Sequence, residues 1–149
     1  MKTLSDSDLT ETGLPLERHK GRILLIACGA LAREILDLKA VNGWDHLDLT
    51  CLPAKLHLYP EKITQAVIDT VTLHREKYDE FFVVYADCGT GGLLDAACQK
   101  LGVQMIAGPH CYSFFEGNDR FSATSETEIT TFYLTDFLVR QFNSFIIKP

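Results

Sequence analysis

The sequence predicts an α/β domain: a doubly wound, mainly parallel four-stranded sheet with helices on both faces. Three observations predict it. Short apolar runs recur at regular intervals along the chain. The segments between them place apolar residues at helical spacing. The two patterns alternate as β-α-β-α-β-α-β-α, and that alternation requires a parallel sheet buried on both sides.

Taken in order, residues 1–20 are polar and unpatterned and read as a flexible arm ahead of a single domain over 21–149. RILLIA (22–27) reads as a buried strand. LAREILDLKAVNG (31–43) has helical periodicity and stops at Gly43. HLDLTCLP (46–53) alternates and then meets Pro53, which makes it a second strand. PEKITQAVIDTVTLHREKY (60–78) is amphipathic, with Pro60 where a helix start tolerates it. FFVVYA (81–86) is the third strand, GLLDAACQKLG (92–102) a helix closed by Gly102, and VQMIAG (103–108) the fourth strand. EGNDRFSATSETEI (116–129) is polar and reads as a loop, and TTFYLTDFLVRQFNSF (130–145) as a last aromatic helix. A flavodoxin-like strand order, 2-1-3-4, is expected, with right-handed crossovers.

Composition narrows the function classes. Hydrophobic residues make up 46% and charged residues 23% of 149, ordinary values for a globular chain. The net charge of −6 and the absence of a basic stripe argue against nucleic acid as a partner. The longest near-apolar run, residues 23–32, is far short of the ~20 residues a membrane helix needs. The first residues, MKTLSDSDLTETG, lack the apolar stretch of a signal peptide. Five cysteines, an odd number, fit free thiols in a reducing compartment, so a cytoplasmic protein is expected.

The chemistry is expected beyond the carboxyl ends of the strands. Cys28-Gly29 follows the first strand, and LPAKLHL, with Lys55 and His57, follows the second. Asp87-Cys88-Gly89-Thr90-Gly91 follows the third, and Gly108-Pro109-His110-Cys111 the fourth. Cys28, Cys88 and Cys111 therefore converge from three strand ends, whereas Cys51 and Cys98 read as small core residues. Thiolates suit zinc, copper(I) and iron–sulfur clusters, and three protein ligands leave an open position. On this view Cys28, Cys88 and Cys111 hold a zinc ion or an iron–sulfur cluster, a choice the residues leave open. Asp87, His57 and His110 transfer protons or orient ligands, and Gly29, Gly89, Thr90 and Gly91 bring backbone N–H groups to a ligand. Two alternatives stand beside it. Cys88 is a metal-free nucleophile with His57 or His110 as its base, or CGTGG is a phosphate turn, although it matches neither common phosphate-loop pattern. Glu34 reads as part of a solvated helix face, Asp136 as a cap or packed polar contact, and Phe132, Tyr133, Phe137 and Phe142 as core or interface.

Five stretches together, LIACGALAREI, LPAKLHLYP, YADCGTGG, GPHCYSFF and FYLTDFL, resemble an uncharacterised bacterial and archaeal family, a domain of unknown function. Its genes are found near those of corrinoid-dependent methyltransferases. The resemblance covers residues 22–146 and implies cysteines at the positions of Cys28, Cys88 and Cys111. It implies a link to corrinoid or one-carbon methyl-group metabolism and a small-molecule substrate. It also implies a corrinoid protein or methyltransferase as a partner, a homodimer, and a further segment after Pro149. A non-catalytic partner of such a methyltransferase system is the third alternative.

Overall fold

The computed structural model describes residues 4–16 and 22–149. Its sheet has four parallel strands in the order β2-β1-β3-β4, as expected. β1 (Ile23–Cys28) lies in the middle, between β2 (Leu47–Leu52) and β3 (Glu80–Val84). That position explains its composition. Leu24, Ile26 and Ala27 have no exposed surface, because helices cover both faces of a central parallel strand.

α2 (Ala32–Asn42) connects β1 to β2 and ends at Gly43, whose φ of 63° is the left-handed cap that stops a helix. α3 (Ile63–His74) and α4 (Leu93–Leu101) connect β2 to β3 and β3 to β4. Because right-handed crossovers run in opposite directions from β1 and from β2, α2 covers one face while α3 and α4 pack together on the other. The direction reverses between β1 and β3, so the carboxyl ends of these strands flank the natural ligand crevice.

Four expectations are corrected. β4 is only Gln104–Met105, not 103–108. Pairing nevertheless continues irregularly, through Ile106 N–H to the Val83 carbonyl and Asp87 N–H to the Gly108 carbonyl, both at 3.0 Å. The polar stretch 116–129 is not a loop but contains α6 (Asn118–Thr127), preceded by a single turn, α5 (Ser113–Glu116). Only Phe121 of α6 is buried, so its periodicity is nearly invisible in the sequence. The last aromatic segment is not one helix. It is extended to Thr135, which caps α7 (Asp136–Arg140) through a bond from Leu138 N–H, and a π-helical turn, Asn143–Ile147, follows.

The fourth correction concerns the expected arm, part of which, residues 1–3 and 17–20, lies outside the described residues. The described part is fixed structure. Ser5 caps α1 (Asp6–Glu11), and Leu9 is wholly buried in the core. Leu14 pairs antiparallel with Cys51. Asp6 holds Arg33 at 3.2 Å and Arg140 at 2.8 Å, joining α1 to α2 and α7. Gly29 makes this close approach possible, since a Cβ there would run into the Leu9 carbonyl. Gly29 therefore serves packing. Leu9→Ala is expected to lower the unfolding free energy by about 2–4 kcal/mol in urea titrations; an unchanged midpoint would mean that α1 is detachable after all.

Candidate metal centre

The loops after β3 and β4 meet above the sheet. Cys88 N–H donates to the Pro109 carbonyl at 3.3 Å, continuing the pairing begun by Asp87 and Gly108. This brings Cys88, His110 and Cys111 together, with one donor atom of each lying within 4.8 Å of the others. A tetrahedral zinc site with bonds of about 2.3 Å to sulfur sets its sulfurs about 3.8 Å apart. Small side-chain rotations therefore suffice to close the group on an ion.

Each loop is held by its own polar residues. The Asp87 carboxylate accepts from Gly92 N–H at 2.7 Å, Gly91 N–H at 3.3 Å and the Thr90 hydroxyl at 3.0 Å. These bonds, that from Gly92 first, hold the carboxyl below its ordinary range. Asp87 is thus a clamp on the turn. The N–H of Gly91 and the Thr90 hydroxyl are spent on it rather than on a ligand, and Gly89 N–H also turns toward Asp87. The clamped turn forces Cys88 to φ 47°, the one non-glycine residue at positive φ among the described residues. In the second loop the wholly buried Ser113 hydroxyl lies 2.7 Å from the His110 carbonyl and 2.6 Å from Asn118 Oδ1. Asn118 in turn donates to the Ala107 carbonyl.

The electrostatics divide the two thiols. Cys88 is lowered because Cys111 donates to its sulfur through both S–H and backbone N–H, against the opposing effect of burial. Cys111 is pushed far up, first by that same contact with Cys88 and then by burial. Of the pair, Cys88 is therefore the thiol that ionises first, with Cys111 as the donor to its sulfur, and a metal ion would take the place of that proton. His110 is lowered by burial and by His57, which favours the neutral imidazole that ligates metals. Its Nδ1 accepts from Tyr112 N–H at 3.2 Å and lies 3.7 Å from Cys111 Sγ.

The other expected site residues lie around this group. Cys28 is not one of the three donors. It is buried, its thiol pushed up to about 11 by desolvation, and it shares with Cys111 and His57 a cavity of about 30 Å³. His57 is exposed and stands edge-on to His110, with ring centroids 5.7 Å apart. Lys55 is paired with Glu11 at 2.6 Å and faces away from the thiols' chemistry. Cys51 and Cys98 are core residues, as their surroundings in the sequence imply. His19 lies outside the described residues.

The sequence over residues 51–149 identifies a family rather than a reaction. The chain belongs to the DUF1638 family. Residues 51–149 match the family described as "Protein of unknown function (DUF1638)". No curated protein and no solved structure matches the chain. The matched stretch of the DUF1638 domain contains Cys88, His110 and Cys111, whereas Cys28 precedes it. No helix among the described residues is long and apolar enough to cross a membrane.

Two residues near the site carry no motif. Tyr85 is 3% exposed, and its buried hydroxyl has no oxygen or nitrogen partner; it lies against the Cys28 thiol, and burial pushes it well up. The only sequence signal was a phenol inside an otherwise apolar strand. Glu34 is not simply on a solvated face: its Oε2 atom is buried and unpartnered beside a cleft at the edge of the site.

Two outcomes are expected. In metal-free protein, iodoacetamide should modify Cys88 first, with a rate that rises through a lower pH range than those of Cys28 and Cys98, both near 11. Mass spectrometry of quenched samples reads the order. Asp87→Asn should cost about 1–2 kcal/mol of stability in urea by weakening the charged bonds of the turn, and no loss would mean that the clamp is idle.

Proposed function

We propose that the Cys88–His110–Cys111 group is a zinc site with an open coordination position. The observation that carries this reading is the convergence of three soft and borderline donors within 4.8 Å on two cross-bonded loops. Two thiolates and an imidazole suit zinc and give a neutral centre with Zn²⁺. An iron–sulfur cluster is less favoured because the third nearby thiol, Cys28, stands outside the donor group, which leaves two thiols and an imidazole. Bound zinc supplies Lewis acidity. Cys88 and Cys111 hold it, His110 completes the set, and His57 stands at the exposed side, where it can take or give a proton.

A second reading is favoured by one observation. The lowered Cys88 thiol, at a strained backbone position, is what a metal-free cysteine nucleophile needs. A cytoplasmic role in corrinoid or one-carbon methyl-group metabolism, with a methyltransferase or corrinoid protein as partner, belongs to this proposal too. It rests on the resemblance of the five motifs, not on the site.

Elemental analysis of anaerobically purified protein decides between the readings. About one zinc per chain is expected, lost in Cys88→Ser and Cys111→Ser, weakened in His110→Ala, and retained in Cys28→Ser. Folded, metal-free protein that does not take up added zinc would transfer the proposal to the nucleophile. Loss of metal in Cys28→Ser with an intact fold would restore the three-thiolate arrangement.

A further inference from the structure

A cleft of about 470 Å³ opens next to the thiols. Its size is that of a small-molecule site. Glu34, Glu116 and Asp136 line it together with Tyr112, Phe115 and Tyr133, and no lysine or arginine is among its lining residues. Glu116 is met by Arg120 at 3.6 Å. Among the described residues no cation lies within ion-pair distance of Glu34 or Asp136. A buried carboxylate oxygen without a donor, such as Glu34 Oε2, is costly unless a ligand answers it.

The aromatic wall is built and braced. Tyr112 and Tyr133 stack with centroids 5.5 Å apart, Phe121 backs Tyr133 at 5.2 Å, and His110 backs Tyr112 at 4.2 Å. Carboxylates without counter-ions facing rigid electron-rich rings repel anions and attract a positive, weakly hydrated group. We propose that this cleft binds a small organic cation, an alkylated ammonium, between its carboxylates and its tyrosine rings. Tyr112, Phe115 and Thr135 line both this cleft and the small cavity that holds Cys28, His57 and Cys111. The cation therefore sits one side chain from the thiols. That it is the substrate of the metal centre rests on the zinc reading; its binding does not.

Calorimetric titration of the full chain with tetramethylammonium tests this, with tert-butanol as an uncharged probe of similar shape and sodium chloride matching the ionic strength. One equivalent of tetramethylammonium should bind, and tert-butanol at least about tenfold more weakly. Glu34→Gln and Tyr133→Leu should each weaken the cation about tenfold, while Tyr133→Phe, which keeps the ring, should not. Arg120→Ala should leave binding equal or tighter, since it frees Glu116. Equal binding of the two probes, an unchanged affinity in Glu34→Gln, or no heat up to saturating probe would each overturn the proposal. Zinc is measured on the same samples. Zinc-free Cys88→Ser should still bind the cation; loss of cation binding in that variant with its fold intact would overturn a site that stands on the cleft alone. Wild-type protein that binds the cation but no zinc would sink the metal reading and leave this one standing.

Discussion

Two backbone hydrogen bonds beyond the regular sheet, Asp87 N–H to the Gly108 carbonyl and Cys88 N–H to the Pro109 carbonyl, set the geometry on which the site depends. β3 and β4 pair formally over only two residues, and without this extension the loops carrying Cys88 and Cys111 would part. With it, residues more than twenty positions apart in sequence occupy neighbouring positions on a ladder. Each loop then needs only local clamps. Asp87 fixes the glycine turn, and Ser113 with Asn118 fixes the turn after β4. The sheet sets the position of the site, and these side chains set its shape.

That shape explains why the two thiols differ in acidity. Two thiolates this close cannot both ionise cheaply. Cys88 receives S–H and N–H donors, which lower it, while the same contact and burial raise Cys111. Cys28 raises Cys111 and is itself raised by Cys88, yet it stands outside the donor group. It is buried against the Tyr85 hydroxyl at the inner wall of the site.

The fold was legible because β1, β3 and the helices between them repeat simple periods, and the sheet adopts the 2-1-3-4 order expected of a flavodoxin-like pattern. Strand-end position brought Cys88 and Cys111 together with His110 nearby, but it gave His110 a proton-transfer role and Cys28 the third ligand position, where the structure groups His110 with the two thiols. What could not be read was set by neighbours distant in sequence. α1 gains its place from one buried leucine, Leu9, and from Asp6 reaching arginines in two other helices. α6 buries only Phe121 and so hardly marks its period. Strand-end logic put Cys28 on an equal footing with the other thiols, because it orders residues along the strands and not across the crevice. The glycines after Cys88 read as ligand-binding N–H groups, but an acid one position earlier had already claimed them.

The strain at Cys88 bears on function. A non-glycine residue in the left-handed region costs on the order of 1–2 kcal/mol. The turn around it already contains Gly89, Gly91 and Gly92, all at positive φ. A fourth glycine at position 88 would relieve the strain and leave the Asp87 bonds intact, since these involve other N–H groups. Packing gives only a weak reason for a thiol there: Cys88 is partly buried at the margin of the core, and its sulfur is in hydrogen-bond contact with Cys111. A strained residue is maintained where its side chain does something the relaxed alternative cannot. Here that is the placement of a thiol, at a fixed angle, where the loops bring a second thiol and an imidazole within reach.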